Sequence, residues 1–281
     1  MAATCRLVAL AALGVAACEP PRPAVICHNG NCAAPTDPAR DDTLGALRES
    51  LALTYRGRPL LDGVELDSLW RGADDVCLFA HDLATITEDV PATAPAEELA
   101  TYFARPGPIG WRDDAPFEVL LELKSGTAID PTVRHTPAQL AGHAACAWDI
   151  YEIVAAAAVA NDRDVRVTMS AFAPELLAAV LAATPTTVPV PVRYEALQGL
   201  PAPLDTETRP LVDYHGLPIA LVELHNQWIT DAQADAVDAL GADMSLFMFD
   251  ATVETFAAIR QYRPVAVVTS EAELVRRWIE R

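Results

Sequence analysis

The sequence predicts an α/β fold of the (β/α)8 TIM-barrel type, on three observations. Near-continuous apolar runs such as FEVLLELK, DVRVTMS and VAVVTS read as strands buried on both faces. Helical segments lie between most of them, the alternation of a parallel architecture. Once one hairpin is set aside, the strands number eight. Composition permits such a core: of 281 residues, 52% are apolar and 21% charged, which excludes wholesale disorder. Acidic residues number 39 and basic ones 20, a net charge of -19. That field repels phosphate backbones, so no nucleic-acid partner is expected.

Taken in order, the chain opens on a targeting segment. Arg6 precedes the apolar run LVALAALGVAAC, and small residues lead to Cys18. A charged start, a hydrophobic stretch and a small-residue cleavage site describe a secretory signal over residues 1–17, too short to span a bilayer. Val15-Ala16-Ala17-Cys18 resembles the lipobox of bacterial lipoproteins. It predicts an exported, envelope-located protein whose only membrane contact is a lipid on Cys18; an ordinary signal peptide is the other reading. Residues 18–23 then form a proline-rich tether, and 24–281 the barrel. Cys27, Cys32, Cys77 and Cys146 remain after processing. They allow three pairings; a local Cys27–Cys32 bridge is one, and free buried thiols are the other reading.

Strands are read at 24–28, 62–67, 76–81, 117–124, 165–171, 188–194, 218–224, 244–249 and 264–269. Helices are read at 42–55, 137–160, 174–183, 231–240, 252–262 and 271–280, with Asp231 and Thr252 as N-cap residues. The link from Asp67 to Val76 is too short for a parallel crossover. The strand at 76–81 therefore returns antiparallel, leaving eight for the barrel. Residues 83–116 and 195–217 read as irregular insertions.

Catalytic residues of such barrels sit at the carboxyl ends of strands. There the sequence places His28-Asn29-Gly30, then Glu65-Leu66-Asp67, then His81-Asp82, then Glu122-Leu123-Lys124. Strand residues two apart share a face, so Glu65 and Asp67 project together, as do Glu122 and Lys124. Three carboxylates on one face need a cation between them, and hard oxygen donors suit Mg²⁺ or Ca²⁺. Lys124 is the sole lysine beside nineteen arginines. Glu223 and His225, two apart on a later strand, could reach the mouth; a satisfied polar pair is the preferred reading. His135, His143 and His215 read as structural or exposed.

These motifs, spread over residues 24–280, resemble the glycerophosphodiester phosphodiesterase family. Its pattern runs His-Arg-Gly, Glu-Leu-Asp, His-Asp, Glu-x-Lys. Thr168–Phe172 resembles its Ser-Phe strand, VAVVTSEAELV its closing segment, and Ser245–Asp250 its Trp-Thr-Val-Asn strand, with Phe247 at the Trp position. The resemblance implies metal ligands at Glu65, Asp67 and Glu122, and an acid/base pair at His28 and His81. It implies phosphate contacts from Lys124 and the Asn29 position, a pocket wall at Phe247, and a small-molecule or lipid phosphodiester as substrate. Asn29 departs from the family's arginine, Asp41-Asp42-Thr43 from its Pro-Glu-Asn-Thr, and Thr269-Ser270 from its Thr-Asp. The short His81–Glu122 spacing and the Ser-Gly after Lys124 also resemble sphingomyelinase D-type phospholipases. Phospholipase D-like cleavage of lysophospholipid or sphingolipid head groups is therefore one alternative. A catalytically silent phosphodiester-binding barrel is the other.

Overall fold

The computed structural model describes residues 22–84, 86, 88–125, 135–198, 210–248 and 250–281. The signal segment and Cys18 lie outside the described residues. Strand β1 (Ala24–Cys27) is followed by α1 (Leu44–Leu51), the short strands β2 (Thr54–Tyr55) and β3 (Arg58–Pro59), β4 (Gly63–Arg71), β5 (Val76–Leu78) and α2 (Ala94–Phe103). Then come β6 (Phe117–Lys124), α3 (Pro137–Ala160), β7 (Val165–Ala171), α4 (Pro174–Ala182) and β8 (Val192–Gln198). The chain ends with β9 (Ile219–His225), α5 (Asp231–Leu240), β10 (Asp243–Met248), α6 (Val253–Tyr262), β11 (Ala266–Thr269) and α7 (Ala272–Ile279).

Strands β1, β4 and β6–β11 form a closed parallel barrel, sealed where β1 pairs with both β4 and β11. The alternation along β6 explains how. All eight of its residues are buried. Phe117, Val119, Leu121 and Leu123 belong to the large core under the helices, whereas Leu120 joins Ile26, Ala266 and Val268 in a small interior cluster. At β4, Gly63 is required, because a Cβ there would lie 2.4 Å from the Glu118 carbonyl oxygen. The amino-terminal end of the barrel is closed by buried Asp62, which takes the Val25 N–H and the fully buried Arg276 guanidinium. Above it Glu118 accepts from Arg166 and lies 3.3 Å from Arg193.

The antiparallel hairpin is present at the carboxyl end of β4. Strand β4 continues past Asp67 to Arg71, and Leu69, Trp70 and Arg71 pair with Leu78, Cys77 and Val76. Trp70 lies over α3 where Gly142 leaves room; a Cβ would come within 2.3 Å of the indole. A disulfide joins Cys77 to Cys146 of α3, and a second joins Cys27 to Cys32. Helix α3 has the length and composition of a membrane-crossing helix, but 56% of its most apolar window is buried inside the protein.

Several sequence expectations are corrected. The fifth barrel strand occupies Val192–Gln198 rather than 188–194, because Pro189 and Pro191 cannot donate to the ladder. It also absorbs residues 195–198 of the expected insertion. Residues 83–116 contain α2, which begins with Pro95 in its first turn, where proline lacks no needed hydrogen bond. The helix expected over 42–55 ends at Leu51, and Arg56 and Gly57, both at positive φ, turn β2 into β3. Thr252 caps α6 as expected, but Thr230, not Asp231, caps α5.

Candidate active site

Register and pleat assemble the mouth. In the β4–β6 ladder Asp67 is the direct partner of Glu122, and Leu69 of Lys124. Glu65 and Asp67 thus face the interior beside Glu122 and Lys124. Carboxylate oxygens of Glu65, Asp67 and Glu122 all lie within 4.8 Å of one another, and all three residues are buried. Lys124 Nζ sits 2.6 Å from Glu122 Oε1 and 3.4 Å from Asp67 Oδ2. Burial opposes the lysine's charge, but Asp67, Glu122 and Glu65 outweigh it and hold its pKa above the ordinary value. Burial, with repulsion from Glu122 and Asp67, pushes the Glu65 carboxyl well up. Burial likewise raises Asp67 to about 6, against the pull of Lys124. Neither Asp67 oxygen accepts a hydrogen bond of good geometry. Three crowded, acceptor-only carboxylates short of donors fit a hard divalent cation.

His28 follows β1 directly, in a tight turn where Asn29 takes φ 48° and Gly30 φ 63°. The turn is bracketed by the Cys27–Cys32 disulfide. It aims the Asn29 N–H at Glu65 Oε2, 3.2 Å away. The Asn29 side chain is buried, and its Oδ1 has no partner. His28 Nδ1 lies 3.3 Å from Ser270 Oγ, while Nε2 is 3.8 Å from Glu65 Oε2. Burial, then Lys124, then His81 lower the His28 pKa to about 3. The ring is therefore neutral near pH 7, and its approach to Glu65 is a polar contact rather than an ion pair. Phe247 of β10 packs on it at 4.7 Å between ring centroids.

His81 follows the hairpin. It is near enough to influence both His28 and Asp67 electrostatically. Its side chain is 53% exposed and its Nδ1 lies 3.4 Å from Asp82 Oδ2. Thus His28, Asn29, Glu65, Asp67, Glu122, Lys124, Phe247 and His81 all gather at one mouth, His81 at its open rim.

Three features escape the sequence reading. Asp42, at φ 55°, is buried close to Asp67, and burial followed by that repulsion raises its pKa well above normal. Ser270 meets His28. Glu223 and His225 do not form the expected satisfied pair: Glu223 Oε2 is buried without a partner, and its charge acts on Glu65. His143 is buried on α3 and His135 pairs with Glu175, as structural residues do.

No protein-family model and no curated protein matches the sequence. Solved structures do. A phosphodiesterase from Oleispira antarctica, in complex with the product sn-glycerol-3-phosphate, aligns with 92% of this chain and 98% of its own at TM-score 0.56 and 13% identity. A glycerophosphodiester phosphodiesterase from Parabacteroides distasonis aligns over the same shares, also at 0.56 and 13%. A calcium-dependent phosphoinositol-specific phospholipase C from Pseudomonas aligns over 89% of each chain at 0.50 and 14%. At these identities the likeness establishes the (β/α)8 fold.

Proposed function

We propose that this chain is a metal-dependent phosphodiesterase that hydrolyses glycerophosphodiesters. The observation that carries the reading is the buried Glu65–Asp67–Glu122 cluster beside neutral His28 at the barrel mouth. Its support is a fold shared with a glycerophosphodiester phosphodiesterase and with a phosphodiesterase in complex with its product sn-glycerol-3-phosphate. Glu65, Asp67 and Glu122 would hold the cation, Mg²⁺ or Ca²⁺. That cation supplies positive charge to the phosphoryl oxygens and screens the anionic diester from the acidic mouth.

The chain's own residues do the rest. Lys124, steadied by Glu122 and Asp67, contacts a non-bridging phosphate oxygen. The side-chain amide of Asn29 stands where the family has a cationic contact. Neutral His28 takes the proton from the nucleophile, with Ser270 orienting the ring through Nδ1; the nucleophile is either a water, or the adjacent glycerol hydroxyl, which leaves a cyclic phosphate that a water then opens to the monoester. As the phosphorus–oxygen bond to the leaving alcohol breaks, His81 gives that oxygen a proton; its exposed rim position lets it recharge from solvent. Phe247 walls the pocket beside His28. The lipid on Cys18 tethers the barrel to the cell envelope, and two disulfides accord with an oxidising compartment.

The test is a panel of glycerophosphocholine, glycerophosphoethanolamine and lysophosphatidylcholine with Mg²⁺ or Ca²⁺. Release of sn-glycerol 3-phosphate from the first two is expected. Lysophosphatidic acid from the third alone would favour the head-group phospholipase, and no product at all a silent binding barrel.

A further inference from the structure

The chain enters the barrel at the face opposite the mouth. Arg22 and Pro23 lead into β1 there; Arg22 pairs with Glu280, and its carbonyl accepts from Arg112. Glu280 also accepts from Trp111 Nε1. Trp111 meets Tyr55 at 5.4 Å between ring centroids. The Arg58 guanidinium lies over the Trp111 ring and that of Arg56 over the Tyr55 ring, 5.3 Å and 5.0 Å from their centroids. Arg56 and Gly57 make the exposed tip of the β2–β3 hairpin. Aromatic rings and arginines thus surround the point where the tether leaves, in a chain of net charge -19; Asp113 and Glu280 offset Arg58 and Arg22 in part.

The mouth face is built differently. Ile26 is level with Gly63, and β4 runs on from Gly63 to Arg71. At about 3.3 Å per residue and a strand tilt near 36°, the β4–β5 hairpin stands about 25 Å above Ala24 along the barrel axis. Asp74 and Asp89 flank Arg71 at its tip, and Asp75 takes the Trp70 indole N–H.

We infer that the amino-terminal face docks on an anionic phospholipid bilayer through Tyr55, Arg56, Arg58 and Trp111, and that this docking holds the mouth toward water. The inference rests on the lipid at Cys18 proposed above. From Cys18 to Arg22 the chain reaches at most about 14 Å. Turning the mouth onto the membrane would stand the barrel on the β4–β5 hairpin and lift its amino-terminal face by about 25 Å, beyond that reach. It would also press Asp74 and Asp89 against lipid phosphates. Docked the other way, Tyr and Trp rings sit at headgroup level, where side chains with one apolar and one polar side are favoured. The arginines meet lipid phosphates there. An acidic protein thus meets an anionic membrane with a face that carries arginines. Within the phosphodiester reading, the mouth then draws on diesters dissolved in the compartment and not on lipids of the anchoring leaflet.

Fluorescence quenching at the membrane decides it. The full lipidated chain is placed in vesicles of phosphatidylethanolamine and phosphatidylglycerol containing a nitroxide-headgroup lipid, with a fluorophore on Asp114→Cys or on Leu83→Cys. Asp114 is exposed in the loop of Trp111, and Leu83, 44% exposed, stands at the rim beyond His81. Quenching should be at least about threefold stronger at Asp114 than at Leu83. Equal quenching, or stronger quenching at Leu83, overturns the orientation. Arg56→Glu with Arg58→Glu should lower quenching at Asp114 by about twofold or more while the protein stays in the membrane fraction. Exchanging phosphatidylglycerol for phosphatidylcholine should do the same without any variant, so a misfolded double variant leaves the patch testable. Quenching unchanged by either overturns the patch. A wild-type chain that fractionates as soluble refutes the anchor, and the orientation falls with it. A chain docked as described that cleaves no diester keeps the docking face and refutes the phosphodiesterase reading.

Discussion

Lys124 Nζ lies 2.6 Å from Oε1 of Glu122, two residues earlier on the same strand. Because Asp67 is the ladder partner of Glu122, one ammonium group serves two adjacent carboxylates. The same compact charge steadies the cluster without metal and is positioned to meet phosphate with it. Arginine's larger planar fork is not equivalent to this compact point charge in a buried site.

Removing that charge should be felt first in stability. Lys124→Ala leaves buried carboxylates without a counter-charge, and unfolding by urea in the presence of a chelator should show a loss of about 2–4 kcal/mol. Lys124→Arg should recover little of it. A chelated Lys124→Ala protein as stable as the wild type would show that the carboxylates are protonated and need no partner.

Metal binding should depend on pH in a definite direction. The folded pKa of Asp67, about 6, exceeds its ordinary value of 3.8, so the folded state binds the extra proton. Its contribution to stability is present below about pH 4 and is lost as pH rises through about 6. A cation needs the deprotonated cluster. The gain in Tm from Mg²⁺ or Ca²⁺ should therefore be small at pH 5 and larger at pH 8. A gain that is greater at pH 5 contradicts the cluster as the binding site.

The two histidines should separate kinetically from the metal. His28→Ala and His81→Ala should each lower kcat by about 10²–10⁴-fold. Calorimetry should find cation affinity retained in His81→Ala, whose ring stands at the rim. Unchanged turnover in both variants would remove the acid/base assignment.

Each histidine also lies near a disulfide. Cys27–Cys32 closes the turn that carries His28, and Cys77–Cys146 clamps to α3 the hairpin that leads to His81. Cys77→Ser with Cys146→Ser should cost about 2–4 kcal/mol and lower kcat more than it raises KM. Thiol reduction of the wild type should inhibit in the same way. Full activity in reduced protein would leave the bridges with no part in positioning.

The anchor is tested apart from the barrel. Cys18→Ser should move the protein from the membrane to the soluble fraction with the barrel's activity intact, measured by fractionation and assay. Unaltered fractionation removes the lipobox reading.

Much of this site is legible in the sequence because strands transmit sequence directly. Residues two apart share a face, so strand period alone puts Glu65–Asp67 and Glu122–Lys124 together at the mouth. The same rule misleads at Glu223 and His225. Sharing a face does not by itself make two residues partners: the long Lys124 side chain spans the roughly 7 Å of strand back to Glu122, whereas Glu223 Oε2 is buried without a partner. Asp42 and Ser270 fall in segments matched to family motifs, but their place beside Asp67 and His28 is not read from the sequence because loops bring them in, with no period to follow. Helix α2 is hidden by prolines and glycines around an ordinary amphipathic stretch. The prolines before β8 carry the strand reading four residues too early. Pairing of the cysteines depends on the fold, because only the hairpin's seat on α3 brings Cys77 to Cys146.

The central claim is cation-dependent cleavage by the carboxylate cluster, and ³¹P NMR of glycerophosphocholine with wild-type protein and Asp67→Ala tests it most directly. The account predicts that a phosphomonoester resonance grows with Mg²⁺ or Ca²⁺, stops on chelation, and is slowed by about a thousandfold or more in the variant. Cleavage at equal rates with chelator present, or in Asp67→Ala, would contradict it.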